Sequence, residues 1–102
     1  MEKSNEIFEK INSSALLVAY FSHAECNICK VLRPKVKELV SNYPDVDFLY
    51  IDIYENPVLR GQMLVFAVPT IIFFINGREV KRFNRHISIQ DITELLNRIS
   101  GE

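Results

Sequence analysis

Apolar residues along this chain follow two patterns, and each pattern predicts a different kind of element. Continuous apolar runs are typical of strands that are buried on both faces of a sheet. Three segments contain such a run: Ala15–Phe21, Val46–Ile53 and Thr70–Ile75. In the second segment the continuous part is Phe48 to Ile51. Such strands belong inside a sheet that helices cover.

Other apolar residues recur every three or four positions, which is the period of an amphipathic helix. This period predicts helices over Asn5–Asn12 and Asn27–Tyr43, and a last helix whose apolar stripe consists of Ile92, Leu95, Leu96 and Ile99. Because the period continues in phase past Pro34, we expect a kink in the second helix rather than two helices. Pro57 predicts a further short helix that ends by about Phe66.

Turn and cap signals place the remaining elements. Asn76-Gly77 follows the third apolar run and is the strongest short-range signal for a two-residue hairpin turn. A polar strand over 78–83 should therefore follow the turn. Ser88, with Asp91 three residues further on, resembles a capping box and begins the last helix.

The predicted order is helix, strand, helix, strand, helix, strand, strand, helix. Alternation in the first part predicts parallel strands joined by right-handed crossovers, and the hairpin adds an antiparallel edge strand. We therefore expect an α/β fold in three layers, with a small mixed sheet of about four strands and helices on both faces. The length of 102 residues fits a single domain over residues 1–102.

Composition narrows the classes of function. The chain has 12 Lys and Arg residues against 13 Asp and Glu residues, a formal net charge of -1, which argues against a dedicated nucleic-acid-binding protein. The sequence as written shows no secretion signal and no apolar run long enough to span a bilayer. We expect a cytoplasmic protein that is not held in a membrane, in which cysteines stay reduced unless they are catalytic or metal-bound.

Both cysteines lie in one short motif, Cys26-Asn27-Ile28-Cys29. A strand-to-helix junction at this point would place Cys26 at a helix N-terminus, where free N–H groups and the helix dipole favour a thiolate. The pKa of Cys26 is then expected below the usual value of about 8.5, which makes this residue the candidate nucleophile. Cys29, one turn further on, should be less accessible and suited to resolving a mixed disulfide.

The motif and its surroundings resemble those of thioredoxin-like proteins over residues 7–99. The features that carry the resemblance are the Cys26/Cys29 pair after a buried strand, Lys30, Pro34, and Val68-Pro69-Thr70 before an apolar strand and Asn76-Gly77. The resemblance implies a thioredoxin fold with a cis peptide bond before Pro69, beside the cysteine pair. It also implies that the backbone of Val68 pairs with an extended segment of the substrate.

The resemblance further implies a thiol-disulfide oxidoreductase that reduces protein disulfides. Cys26 and Cys29 would be its catalytic residues, and Val68 and Pro69 would bind the substrate. The implied partners are disulfide-containing proteins and an electron donor, for which a thioredoxin reductase is a candidate. The dithiol is its own redox group, so neither a cofactor nor a metal is expected.

Several positions depart from the family pattern. Glu25 replaces an aromatic residue before the first cysteine, and Asn27-Ile28 replaces Gly-Pro between the two cysteines. Tyr20 stands where the family has a buried acid, and Phe48 stands where it has the lysine that partners this acid. Without the acid, deprotonation of the resolving cysteine would need water, a histidine or a different carboxylate. His23 and Glu25 are the nearby candidates.

Two other interpretations of the cysteine motif stay open. The cysteines could be small buried hydrophobic residues without chemistry, in a non-enzymatic binding module of the same fold. Alternatively, His23-x-x-Cys26-x-x-Cys29 offers three soft ligands at regular spacing, which would hold zinc or an iron–sulfur cluster with a ligand from another chain.

A basic cluster in the hairpin also has two interpretations. The cluster consists of Arg78, Lys81, Arg82 and Arg85. It could attract an acidic partner or RNA, but we favour a charged edge strand that discourages pairing with a second sheet.

Overall fold

The computed structural model describes residues 4–84 and 87–100. Its elements are α1 (Ser4–Ser13), β1 (Leu16–Ser22), α2 (Asn27–Ser41), β2 (Val46–Asp52), α3 (Pro57–Gln62), β3 (Thr70–Ile75), β4 (Arg78–Asn84) and α4 (Ile89–Ser100). Each predicted helix and strand is present, in the predicted order. Helix α2 continues through Pro34 as one helix. No helix among the described residues is long and apolar enough to cross a membrane.

The four strands form one mixed sheet in the order β2-β1-β3-β4. Strand β1 is parallel to β2 and antiparallel to β3, and β4 is antiparallel to β3. The alternation of elements wrongly predicted a parallel third strand. Six helical residues in α3 cover about 9 Å, whereas a seven-residue strand covers about 23 Å. The strand register shows that the segment with α3 does not return the chain to the far end of the sheet, since Asp52 pairs with Ser22 and Thr70 pairs with Phe21. Strand β3 therefore starts near the end where β2 stops.

Helix α3 is short and ends at Gln62, before the limit of about Phe66 that the sequence predicted. Leu64 adopts a left-handed backbone conformation with φ of 56°. The Leu64 N–H donates a hydrogen bond to the Gly61 carbonyl at 3.2 Å, and the Val65 N–H donates one to the Arg60 carbonyl at 3.1 Å. These two bonds form a Schellman motif, which ends a helix by satisfying its last carbonyls.

Strand β2 is less buried than its apolar run indicates. Among its residues only Val46 and Ile51 are buried, because β2 lies at one edge of the sheet. By contrast, the interior strands β1 and β3 are buried along almost their whole length. Side chains alternate along these two strands between two cores, which gives the three layers.

The first core lies under α2 and α4, and the second lies under α1 and α3. In the first core, Val18 and Tyr20 of β1 pack with Val36 and Val40 of α2 and with Ile92 and Leu96 of α4. In the second core, Leu17, Ala19 and Phe21 of β1 pack with Ile11 of α1 and Leu59 of α3. Every residue of β1 that follows Leu16 is buried, so this strand contributes to both cores.

Strand β4 forms the other edge of the sheet, as the charged residues in it indicated. The Arg82 guanidinium donates to the Glu79 carboxylate at 2.7 and 2.9 Å. It also donates to the carbonyls of Met63 and Leu64 at 2.8 and 2.9 Å, so it connects the edge strand to the turn that ends α3. Arg85, the fourth member of the predicted basic cluster, lies outside the described residues.

The predicted hairpin turn joins β3 to β4. Asn76 and Gly77 both have positive φ, 51° and 82°, as a two-residue turn that follows the twist of the strands requires. A Cβ atom on Gly77 would lie 2.7 Å from the side-chain oxygen of Asn12. The backbone conformation favours glycine at this position, and a Cβ there would also require the exposed Asn12 side chain to move.

We predict that Gly77→Ala lowers the free energy of unfolding by about 1–2 kcal/mol, because alanine is strained at this φ and its Cβ would contact Asn12 closely. Gly61→Ala is the matched control, since a Cβ there meets no atom within 4 Å and φ is not positive. Alanine at this helical position should raise stability by up to about 1 kcal/mol. Urea denaturation of both variants measures the difference, and equal effects would contradict the turn assignment.

Candidate active site

The two cysteines lie at the N-terminus of α2 and are joined by a disulfide bond. Cys26 is the N-cap residue of the helix, and its sulfur accepts the backbone N–H of Cys29 at 3.3 Å. The chain enters the helix through a turn in which the Cys26 N–H donates to the His23 carbonyl at 3.2 Å. Cys26 is 9% exposed and Cys29 is 3% exposed, which matches the predicted order of accessibility.

Strand pairing brings the cis-proline segment to the same end of the sheet. The register of the antiparallel pair places Thr70, the first residue of β3, opposite Phe21 near the end of β1. The peptide bond between Val68 and Pro69 is cis, as the resemblance implied. The Thr70 hydroxyl donates to the Ala67 carbonyl at 2.6 Å, which holds the turn before the strand.

An apolar groove flanks the disulfide on the side of Pro69. It has a volume of about 570 Å³. Its lining residues are Asn27, Ile28, Val31, Leu32, Lys35, Pro69, Ile87 and Ile89. Ile28 is 68% exposed and Val31 is 62% exposed, so two large apolar side chains of α2 face solvent beside the cysteine pair. Val68 packs against the core cluster that contains both cysteines.

A smaller cavity of about 240 Å³ lies on the other flank and reaches both cysteines. Its lining residues are Ser22, His23, Ala24, Cys26, Cys29, Lys30, Arg33 and Tyr50. The Arg33 guanidinium lies over the Tyr50 ring, 3.6 Å from the ring centroid. The His23 ring stacks on Tyr54 with centroids 4.7 Å apart, and its Nδ1 accepts the Glu25 N–H at 3.2 Å.

Sequence reasoning missed several residues that line the two cavities, among them Arg33, Tyr50, Ile87 and Ile89. The helical period carried a signal for Arg33, which stands four residues after Cys29 and seven after Cys26. Tyr50 is brought to the cavity by the pairing of β1 with β2, which places it opposite Tyr20. Ile87 lies just before α4 and Ile89 is the first residue of α4, and both line the groove. A single sequence gives no signal for either contact.

Tyr20 occupies the place of the buried acid and cannot replace it as a base. The side chain is fully buried between Phe48 and Tyr50, with ring centroids 6.3 and 6.4 Å away. Its hydroxyl has no hydrogen-bond partner among the described residues. Burial raises the pKa of Tyr20 to about 12; Tyr50 adds to the rise and Arg33 opposes it. The phenol is therefore neutral at physiological pH.

Of the two candidate bases named from the sequence, His23 is the one that shares a cavity with both cysteines. Glu25 is exposed and does not line that cavity. Because the Nδ1 of His23 already accepts a hydrogen bond, a neutral imidazole would carry its proton on Nε2. Residues 4–84 and 87–100 contain no group of three or more His, Cys, Asp or Glu side chains placed to hold a metal ion.

The fold and the helix-terminal disulfide define a class of protein, the thiol-disulfide oxidoreductases with a thioredoxin fold. Comparison with known proteins then gives the family. The family profile described as Thioredoxin matches residues 1–98. A thioredoxin of Chlamydia trachomatis is 33% identical over 97 residues, which cover 95% of this chain and 92% of that protein. The chain belongs to the thioredoxin family, and the predicted family and fold are confirmed.

Two further relatives extend the comparison. Thioredoxin H2 of Arabidopsis thaliana is 35% identical over 78 residues, which cover 76% of this chain. Those residues cover 56% of that protein, so the chain spans little more than half of its length. Among solved structures, thioredoxin 1 of Thermosipho africanus has a TM-score of 0.77 and 37% identity, with coverage of 84% of this chain and 99% of that one.

We predict that Tyr20→Phe leaves the free energy of unfolding unchanged or raises it by up to about 1 kcal/mol at neutral pH, because it removes a buried hydroxyl that has no partner. Urea denaturation of the oxidised protein measures the change. A loss above about 1 kcal/mol would contradict the prediction and show that the hydroxyl makes a stabilising bond.

The stabilities of the wild type and of Tyr20→Phe should change differently as the solution becomes alkaline. Tyr20 stays protonated in the folded state up to its pKa of about 12, whereas an unfolded tyrosine ionises near pH 10. The unfolded state thus binds fewer protons between these values, so wild-type stability falls as pH rises through this window. Relative to Tyr20→Phe, the wild type should lose about 1 kcal/mol between about pH 9 and pH 11. Parallel curves would contradict the raised pKa.

Proposed function

We propose that this protein reduces disulfide bonds in other proteins, in the cytoplasm, through a dithiol formed by Cys26 and Cys29. The observation that carries the proposal is the position of Cys26, whose sulfur caps α2 and accepts the Cys29 N–H. That contact and the positive end of the helix dipole stabilise negative charge on this sulfur. Cys26 is also the more exposed cysteine, so it is the one assigned to meet the substrate.

The reaction begins with both cysteines reduced. The Cys26 thiolate attacks one sulfur of the substrate disulfide, which forms a mixed disulfide and releases the other substrate sulfur as a thiolate. Cys29 then loses its proton and attacks the Cys26 sulfur, which releases the second substrate thiol and forms the Cys26–Cys29 bond. Two electrons pass from the dithiol to the substrate. Tyr20 is neutral and does not take the Cys29 proton, so His23 or water in the adjoining cavity takes it.

Val68 and Pro69 hold the substrate during this exchange. The backbone of Val68 pairs with an extended substrate segment, and Pro69 forms the wall of the groove beside Asn27 and Ile28. Return to the dithiol needs a donor of two electrons, and a thioredoxin reductase is the donor that the family implies. The departures at Glu25, Asn27 and Ile28 change the surface that such a reductase would meet.

We predict that Cys29→Ser protein traps disulfide-containing proteins as covalent adducts, because the mixed disulfide on Cys26 can no longer be resolved. Non-reducing electrophoresis before and after dithiothreitol measures the adducts, which should persist at least tenfold longer than with the wild type. Cys26→Ser lacks the nucleophile and is the matched control. It should form none of these adducts.

Two outcomes would contradict the assignment. If folded Cys29→Ser formed no adducts, the dithiol reaction would be excluded. If instead the reduced, anaerobically purified protein held zinc or iron in stoichiometric amount and lost it in Cys26→Ser, the cysteines would be metal ligands.

A further inference from the structure

Helix α2 carries a strip of positive charge that the reaction with a disulfide does not require. The helix holds four of the 12 Lys and Arg residues of the chain and one of its 13 Asp and Glu residues. Its local charge is therefore opposite in sign to the net charge of -1 of the whole chain. Lys30, Arg33 and Lys37 follow one another at intervals of three and four residues, so they share one face of the helix.

These three residues, here called the basic strip, lie next to the disulfide. Lys30 and Arg33 line the cavity that contains Cys26 and Cys29. Both also line a second cavity of about 420 Å³, together with Pro34 and Lys37. The shared residues make the two cavities neighbours, so a continuous basic surface leads from the two cysteines along α2.

Within residues 4–84 and 87–100, none of the three side chains of the basic strip forms an ion pair. No acidic residue stands three or four positions from Lys30, Arg33 or Lys37, where it could form a helical ion pair. The ion pairs found among the described residues are Lys10 with Asp47 and Arg82 with Glu79, and neither involves α2. Like charges at this spacing destabilise a helix slightly, so the strip opposes folding rather than supporting it.

The size of the surface fits a peptide. From Lys30 to Lys37 the helix rises about 10 Å, the length of about three residues of extended chain. The apolar groove on the opposite flank of the disulfide, with Ile28 and Val31 exposed, offers room for apolar side chains of the same partner. A small anion would fill the basic side alone and leave these apolar side chains in water.

We infer that the basic strip selects the substrate: a protein whose disulfide-bearing segment has apolar side chains next to the cysteine and a cluster of carboxylates that meets Lys30, Arg33 and Lys37. This inference rests on the proposed reduction of protein disulfides. Complementary charge raises the rate of encounter and penalises partners of the same sign as the surface. The effect decreases as salt screens the charges.

The experiment compares two synthetic peptide disulfides of the same length and with the same apolar residues, one with three aspartates and one with three lysines near the cysteine. The second-order rate constant for reduction by the dithiol protein is measured by stopped flow at about 20 mM and about 300 mM salt. At low salt the acidic peptide should react at least tenfold faster than the basic peptide, and the ratio should fall to about threefold or less at high salt.

Two triple variants separate the position of the charges from their number. The first variant combines K30Q, R33Q and K37Q and should abolish the preference for the acidic peptide at low salt. The second combines R78Q, K81Q and R98Q, which removes the same number of charges from β4 and α4, and should retain this preference. Circular dichroism confirms that both variants fold. An equal loss of preference in both variants would show that net charge, and not the basic strip, sets the rate.

Small disulfides complete the test. Hydroxyethyl disulfide is neutral, and its reduction by the wild type shows that the dithiol is active, so failure of the proposed reaction is distinguished from failure of this inference. Equal rates for the acidic and basic peptides with an active dithiol would overturn the inference. Reduction of glutathione disulfide could depend on the basic strip as strongly as reduction of the acidic peptide does. In that case the strip would bind a small anion, and the inference that it binds a segment of a protein substrate would be overturned.

Discussion

Burial of β1 on both faces is the constraint on which the site depends. Its side chains contribute alternately to the core under α2 and α4 and to the core under α1 and α3, so the strand cannot slide by one residue without exchanging its two sets of side chains. This fixes where β1 ends and therefore where the turn into α2 places Cys26. The pairing of Phe21 with Thr70 fixes Pro69 at the same end of the sheet. The sulfur atoms and the proline are thus positioned by one strand.

Tyr20 shows how a fold can keep its shape while the chemistry at one position changes. An aromatic ring fills the space between Phe48 and Tyr50 in the core beneath α2, and its hydroxyl remains protonated. The polar groups around the cysteines accordingly lie on the open side, in the cavity lined by His23, Lys30 and Arg33. In the proposed reaction, proton transfer at Cys29 would therefore depend on groups that solvent, salt and a bound partner can reach.

Local patterns in the sequence predicted most of this architecture. The apolar runs, the Asn76-Gly77 turn and the cysteine motif act over a few residues, and all of them appear in the structure where they were expected. The direction of β3 and the edge position of β2 depend on how a short helix returns the chain, which no local pattern encodes. The contacts of Tyr50 and Ile87 with the site depend on strand register and packing, so they became visible only when the chain was folded.

The link between Arg82 and the end of α3 has a consequence for how the site changes in evolution. Leu64 has a left-handed backbone conformation, which costs a residue with a side chain about 1–2 kcal/mol. The Arg82 guanidinium donates hydrogen bonds to the carbonyls of Met63 and Leu64 at this bend. The bend lies a few residues before Val68 and Pro69. A mutation of Arg82 would remove these bonds from a segment that leads into Val68 and Pro69, although Arg82 itself does not line the groove. The edge strand can therefore change the support of the groove without changing its lining.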